Sequence, residues 1–242
     1  MGILLYADDI VLISPTIYGL QALLNCVETD LLWLDMKLNA SKSFCMRIGP
    51  RFIFDCCKIR TKSGIELEWV NKIRYLGVFF VSSSKFKCCL DSCKRAFYKA
   101  FNAIYGKIGQ NASVETLMYM LNTNCVPILT YGLDCIPLNS TDRRAIDLPV
   151  TRACMKIFKS YSSALIKECQ FFMGFLPVSS RVDLLKFNFL QKYNNSVNCI
   201  CNTLSDCCEI QVLLTKYNCL YLSRDLIWNF VFSELIDTCN LK

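Results

Sequence analysis

The chain has 242 residues, of which 53% are hydrophobic, and 27 Lys and Arg against 20 Asp and Glu give a net charge of +7. This is enough for one large domain or two modest ones. We expect neither a membrane span nor secretion, because no apolar run reaches roughly 18 residues and no signal peptide is visible. Histidine is absent, which excludes Ser-His-Asp triads, Cys-His proteases and His-Glu-x-x-His metalloproteases.

The chain contains seventeen cysteines. Without a secretory signal, they do not indicate a disulfide framework. Neither adjacent pairs such as Cys56-Cys57 nor the group between Cys199 and Cys208 has the spacing of zinc ligands. We therefore expect most of the cysteines to be small buried hydrophobic residues.

The first element is an apolar stretch interrupted by two carboxylates. Residues 3–6 and 10–13 are short apolar runs on either side of Ala7, Asp8 and Asp9. Such runs predict a β-hairpin covered on both faces, with Tyr6, Ala7, Asp8 and Asp9 in a polar turn. Adjacent carboxylates ionise together readily only near a cation, and oxygen ligands suit Mg²⁺.

A helix and three strands follow this hairpin. Ser14 is the expected N-cap, with Pro15 at the first helical position, and apolar spacing carries the helix to about Met36. A turn from Leu38 to Ser43 comes next. The predicted strands are Phe44–Ile48, Phe52–Ile59 and Ile65–Val70, the last two around the turn signal Lys62-Ser63-Gly64.

A further strand contains Tyr75-Leu76-Gly77-Val78, where glycine permits another backbone or a ligand to approach closely. Three short sequences therefore occur in order within about 75 residues: Tyr6-Ala7-Asp8-Asp9, Leu38-Asn39-Ala40-Ser41-Lys42-Ser43 and Tyr75-Leu76-Gly77-Val78. Their order and spacing resemble those of reverse transcriptases, in which two metal ions clamp the attacking and leaving oxygens of phosphoryl transfer.

The resemblance implies a role for each of these residues. Asp8 would bridge two Mg²⁺ ions with Asp9 beside it, while Lys42 would assist the departure of pyrophosphate. Tyr6 would brace the turn and the small Ala7 would admit the primer end. Residues Tyr75, Leu76, Gly77 and Val78 would grip the primer strand. The alternatives are a plain strand-end turn at the aspartates, a solvated loop lysine at Lys42, and a strand with a bulge at Gly77.

After Ser82-Ser83-Ser84 the pattern becomes helical. The segment from Phe86 to Ile108 interleaves Lys94, Arg95 and Lys99 with aromatic residues, a composition that suits a nucleic-acid backbone or a stacked base. Lys94 and Arg95 are adjacent, and Lys99 lies one turn further along the face of Arg95. The alternative is a solvated basic face opposite an aromatic core face, and we favour it for the aromatics while assigning the lysines and arginine to phosphate contacts.

Five further helices are predicted. Their ranges are Val114–Asn124, Ile128–Pro137, Thr141–Tyr161, Ser179–Tyr193 and Arg224–Thr238, and their candidate caps are Ser113, Ser140 or Thr141, Ser180 and Ser223. Cys125–Gly132 and Met155–Phe158 resemble segments that follow the polymerase core of non-LTR (LINE-type) retrotransposons. In that family a helical thumb follows the primer-gripping hairpin.

Together these observations predict an α+β fold with three parts. Residues 1–81 would be a partial polymerase palm of antiparallel strands with one packed helix, 82–165 a helical thumb-like region, and 166–242 a helical C-terminal extension. The family's third catalytic Asp and its fingers would lie upstream of the first hairpin, so we expect a C-terminal fragment.

The resemblance also implies a function. The expected protein is a fragment of an RNA-directed DNA polymerase that copies retroelement RNA by two-metal nucleotidyl transfer, inactive alone. Its partners would be an RNA template, a DNA primer and, in the complete enzyme, dNTP. Its location would be nuclear and cytoplasmic, in a ribonucleoprotein. The alternative is a non-catalytic nucleic-acid-binding remnant of a degenerate retroelement.

Overall fold

The chain is a mixed α+β protein made of two compact units, Met1–Cys89 and Leu90–Lys242. The computed structural model describes residues 1–109, 111–198, 201, 203 and 208–240. The described strands belong to the first unit, which also contains one long helix, and the second unit is helical. The strands form three small sheets instead of one palm-like sheet, and each described strand is only two to five residues long.

The first sheet is the predicted hairpin of β1 (Gly2–Tyr6) and β2 (Asp9–Ile13), paired in register from Gly2 with Ile13 to Tyr6 with Asp9. Leu12 packs against a core cluster that includes Leu24 of the following helix. The expectation that both faces are covered is wrong: Leu4 and Leu5 are 48% and 70% exposed. In the described residues the hairpin is a two-stranded sheet, so no third strand shields it.

Helix α1 (Ile17–Trp33) is shorter than predicted at both ends. Its N-cap is Thr16, whose hydroxyl accepts from the Gly19 amide at 3.1 Å, while Ser14 donates to the Thr16 carbonyl. At the C-terminus Asp35 adopts a left-handed φ of 54°. The amides of Asp35 and Met36 then bond back to Leu32 and Leu31, a Schellman motif that ends the helix before Met36.

The second sheet has a parallel pair that the sequence did not predict. Strand β3 (Phe44–Cys45) runs parallel to β5 (Glu66–Trp69), and β4 (Ile59–Arg60) pairs with β5 in the antiparallel sense. The predicted strands 44–48 and 52–59 are thus reduced to two residues each. The reason is a closed loop between them, in which the Arg47 guanidinium donates to the carbonyls of Arg51 and Phe54.

The third sheet is antiparallel and consists of β6 (Lys72–Tyr75), β7 (Val78–Val81) and β8 (Lys87–Cys88). Gly77 lies in the tight turn between β6 and β7, so its predicted place inside a strand is wrong. Leu76 and Gly77 have φ of 46° and 82°. Positive φ at both central residues defines a type I′ turn, whose twist matches that of the strands. Strand β8 also replaces the predicted start of a helix at Phe86.

The second unit contains a series of helices: α2 (Asp91–Ile108), α3 (Val114–Met120), α4 (Val126–Thr130), α5 (Ser140–Phe158), α6 (Ser163–Phe172), α7 (Val178–Asn194), α8 (Cys208–Lys216), α9 (Arg224–Val231) and α10 (Ser233–Asn240). Helices α6 and α8 were not predicted. The fully buried side chains include Phe97, Leu129, Ile146, Val150, Phe187 and Ile227. These residues come from five helices, so the core of this unit depends on several of them together.

Two helix boundaries differ from the prediction for visible reasons. A π-helical turn, Leu121–Cys125, joins α3 to α4 ahead of Pro127, which has no amide to donate to an ordinary helical turn. The helical segment therefore continues past Asn124, where we predicted an end. It ends at Thr130, because Gly132 takes a φ of 70°. The predicted helix Arg224–Thr238 divides at Phe232, which leaves the helical backbone and is fully buried.

Two predicted caps are confirmed and two are wrong. Ser113 accepts from the Thr116 amide and Ser223 from the Leu226 amide. Helix α5 is capped by Asn139 through a reciprocal capping box with Asp142, instead of by Ser140 or Thr141. Helix α7 begins directly after Pro177, not at Ser180. There the Asp147 carboxylate of α5 accepts from the Ser179 amide at 2.8 Å and supplies the missing cap.

The cysteines are less buried than expected. Cys45, Cys88, Cys125 and Cys154 are buried, whereas Cys26, Cys57, Cys135 and Cys208 are exposed and the remaining described thiols are half-buried. Cys199 and Cys207 lie outside the described residues. In the described part of the chain, every helix is either too short or too polar to traverse a bilayer.

Candidate functional site

The two aspartates lie where the sequence predicted them, at the turn of the first hairpin. Tyr6 and Asp9 form the last cross-strand pair, so Ala7 and Asp8 are the two turn residues. Ala7 has a φ of 51°, a backbone conformation that a residue with a Cβ adopts at a cost of about 1–2 kcal/mol. Asp8 is thereby held at the tip of the hairpin, and Asp9 begins β2.

The register also decides which way these side chains face. Directly paired residues project to the same face of a sheet, and successive residues alternate. Leu12 packs against the core, so Asp9, three residues earlier, faces away from it together with its partner Tyr6. Tyr6 is 62% exposed. The tyrosine and the aspartate therefore form an open, solvated end of the hairpin.

The donor set at this turn does not fit a two-metal centre. The side chains of Asp8 and Asp9 are exposed and have no hydrogen-bond or ion-pair partner in the described part of the chain. Within that same part, no group of three or more Asp, Glu, Cys or His residues is arranged to hold a metal ion. Two solvated carboxylates without a third donor position a cation poorly, so the described residues alone do not form the two-metal centre that the resemblance implies.

Lys42 lies in a short 3₁₀ turn, Ala40–Lys42, between α1 and β3. The side chain of Asn39 accepts from Ser41, and the Asn39 carbonyl accepts from the Ser43 hydroxyl, so the turn is fixed locally. Lys42 itself is exposed. No hydrogen bond or ion pair connects it to Asp8 or Asp9 among the described residues. The structure thus places this lysine in the same unit as the aspartates without bringing the groups into contact.

The predicted primer-gripping segment is a second tight hairpin in the same unit. Tyr75 pairs with Val78 across the Leu76-Gly77 turn. On the strands that flank the turn, two cations of β6 lie near the Phe79 ring of β7. Lys72 Nζ is 4.6 Å and the Arg74 guanidinium 5.8 Å from the centre of that ring. Leu76 is 42% exposed at the tip. The segment presents an apolar tip flanked by positive charge.

Helix α2 presents part of the predicted basic stripe. Arg95 and Lys99 are exposed, whereas Lys94 is half-buried and forms an ion pair with Asp91 at 2.8 Å. Two aromatics of this helix face the core, as favoured: Phe97 and Phe101 are buried and stack at 6.3 Å, whereas Tyr98 and Tyr105 are half-buried. Two cations, not three, are therefore free of ion pairs in the described residues, and the buried rings cannot stack on bases.

Helix α5 carries a second basic face that the sequence reasoning missed. Arg144, Arg152, Lys156 and Lys159 are all exposed. The helix spacing puts Arg144, Arg152 and Lys156 on one side, opposite the buried Ile146 and Val150, and Lys159 follows as the left-handed C-cap. The signal was present in the sequence, since Arg144, Arg152 and Lys156 follow one another at intervals of eight and four residues. Its meaning depended on knowing which face of α5 is covered.

Lys156 of the α5 basic face contacts helix α2. Its ammonium lies 4.5 Å from the centre of the Tyr105 ring on α2, and its backbone carbonyl accepts from the Tyr105 hydroxyl at 3.3 Å. Arg95 and Lys99 lie about 80° and 120° around α2 from Tyr105 and within about 15 Å along its axis. The positive charges thus lie on two helices of one unit that pack against each other.

A buried ion cluster fixes α5 against α7 and α8. Asp183 of α7 is fully buried, and its carboxylate meets Arg143 at 2.6 Å and Lys216 at 2.5 Å. The Tyr217 hydroxyl donates to it at 2.7 Å. Burial, and then the charge of Asp183, raise the pKa of Tyr217 far above its ordinary value, so the phenol stays a donor. Because Arg143 precedes Arg144 directly, this cluster also helps orient the basic face of α5.

Comparison with known proteins adds no relative: no protein-family model, curated protein or solved structure matches this chain significantly.

Proposed function

We propose that the chain is part of a reverse transcriptase of the non-LTR type, and that its helical unit binds the phosphate backbone of nucleic acid without polymerising on its own. The family assignment rests on the resemblance and on two tight hairpins, Tyr6–Asp9 and Tyr75–Val78, in one unit and in the family's order. The binding role rests on one observation: α2 and α5 pack against each other, and both expose cations.

The charge pattern favours phosphates over bases. Arg95, Lys99, Arg152 and Lys156 are exposed, while the two phenylalanines of α2 are buried in the core. Contacts to phosphate fix position without reading sequence. Arg152 and Lys156 are about 6 Å apart along their helix, a length that corresponds to roughly two nucleotides of one strand in duplex DNA. Weak, sequence-independent binding with strong salt dependence is the expected behaviour.

The experiment is a salt titration of duplex binding with two matched double variants. Arg95→Ala/Lys99→Ala removes the α2 charges, and Arg152→Ala/Lys156→Ala removes those of α5. Each lost phosphate contact lowers the slope of log affinity against log salt by about 0.9, so each variant should flatten it by up to about 1.8. Lys37→Ala/Lys85→Ala removes two exposed charges from the first unit and should leave the slope unchanged.

Fluorescence anisotropy with a short labelled duplex gives both affinity and slope, and thermal unfolding checks that each variant is folded. Equal slopes for the wild type and both helix variants would show that these charges only solvate the surface. If the control flattens the slope as much as the helix variants do, binding depends only on the net charge of the protein, and the proposed interface is wrong.

A primer-extension assay tests the remaining part of the proposal. The chain should not extend a primer on an RNA template with Mg²⁺ or Mn²⁺, because Asp8 and Asp9 lack a third donor in the described residues. Template-dependent extension that disappears in Asp8→Asn would contradict the expectation that the chain does not polymerise on its own. The same result would support the family assignment.

A further inference from the structure

Arg181, in the first turn of α7, is a largely buried cation with only neutral partners. Its Nε donates to the Leu176 carbonyl at 3.1 Å, and its Nη1 donates to the side chain of Asn122 in the π-helical turn. The guanidinium also lies 4.3 Å from the centre of the Phe175 ring. No carboxylate pairs with it among the described residues.

Arg224, the first residue of α9, binds the same loop. Its Nη2 donates to the Gly174 carbonyl at 3.0 Å. Gly174 and Leu176 are two residues apart, so the carbonyls that hold the two guanidiniums are separated by at most about 7 Å. Burial, followed by the neighbouring charge of Arg224, lowers the pKa of Arg181 to about 10. Two like charges thus share one short loop, and each destabilises the other.

The partners of Arg181 and Arg224 differ from those of Arg143, another guanidinium in the same unit. There the chain supplies a buried carboxylate, Asp183, at 2.6 Å. At Arg181 and Arg224 it supplies carbonyls, an amide and a ring, none of which carries negative charge. Each guanidinium has five N–H donors, of which these hydrogen bonds use two on Arg181 and one on Arg224. The remaining donors and the uncompensated charge suit an oxyanion.

We propose that Arg181 and Arg224 form a binding site for a phosphate group, held on the loop Gly174–Leu176. The planar guanidinium fork matches phosphate oxygens in pairs, and a phosphate brings the negative charge that the loop lacks. This site is separate from the basic faces of α2 and α5 and does not depend on the proposed function.

The test is thermal unfolding in increasing inorganic phosphate, with sodium chloride at equal ionic strength as the reference. A ligand that binds only the folded state raises the unfolding midpoint with the logarithm of its concentration. Arg224→Gln should abolish the phosphate-dependent rise, and because Arg224 is exposed, the variant should otherwise unfold near the wild-type midpoint. Lys192→Gln, an exposed charge loss further along α7, should retain the rise.

Two results would overturn the site: no rise beyond that in chloride, or an equal rise in wild type and Arg224→Gln. Arg181→Lys keeps the charge but loses the planar fork, and should weaken the response. Oligonucleotides with and without a 5′-phosphate distinguish the source. Stronger competition by the phosphorylated form assigns the ligand to a nucleic-acid end, and equal weak competition assigns it to a small phosphate. The Arg95→Ala/Lys99→Ala variant should keep the phosphate response, which separates this test from that of duplex binding.

Discussion

Replacing Asp183 by alanine should destabilise the helical unit more than any surface substitution. The carboxylate is fully buried and joins three helices through Arg143, Lys216 and Tyr217. Its removal leaves two cations without their counterion and the Tyr217 hydroxyl without its acceptor. Breaking a buried ion pair from one side generally costs 3–5 kcal/mol.

The structure places the effect at the lower end of that range. The side chains of Arg143 and Lys216 are 27% and 40% exposed, so water can partly solvate both cations after the change. We therefore expect a loss of about 3 kcal/mol in the free energy of unfolding. For a body of this size, each kcal/mol lowers the thermal midpoint by roughly 2–4 °C, which gives a decrease of about 6–12 °C.

The measurement is urea and thermal unfolding followed by far-ultraviolet circular dichroism, which reports mainly the helices of the second unit. Asp225→Ala is the matched control, because it removes the same charge from an exposed position and should change stability by less than about 0.5 kcal/mol. Tyr217→Phe deletes a single hydrogen bond to Asp183 and should cost about 1 kcal/mol. A loss below about 1 kcal/mol in Asp183→Ala would refute the idea that the cluster holds α5, α7 and α8 together.

Two further predictions concern the first unit. Leu76 has a φ of 46° in a turn that favours asparagine, so Leu76→Asn should raise the free energy of unfolding by about 0.5–1 kcal/mol, measured by urea titration; unchanged or lower stability would contradict the type I′ assignment. Burial raises the pKa of the Cys45 and Cys88 thiols from 9.0 to about 11. Between these pH values the folded state retains protons that the unfolded chain loses. The contribution of the protonated thiols to the free energy of unfolding is therefore complete below pH 9 and is lost as the pH rises to about 11. Urea midpoints in this range should fall in the wild type and fall less in Cys45→Ala.

The sequence alone determined the elements whose conformation follows from residues close together in the chain. The hairpin around Asp8 was predicted because two short apolar runs enclose a polar turn, a signal that depends on no distant contact. The helical character of the second half and the caps Ser113 and Ser223 were predicted on the same basis. For the candidate site, this reasoning located Asp8 and Asp9 at a turn and Arg95 and Lys99 on an exposed helix face.

Only the tertiary structure decided how these elements pair and which faces they cover. The parallel pairing of β3 with β5 joins residues more than twenty positions apart, and the loop held by Arg47 displaced a strand that the pattern had predicted. The basic face of α5 became recognisable once Ile146 and Val150 were seen to be buried. In the sequence, nothing distinguishes Asp183 from the other acidic residues or Arg181 from the other basic residues. Burial and the nature of their partners distinguish them, because the energy of a charge depends on what surrounds it in space.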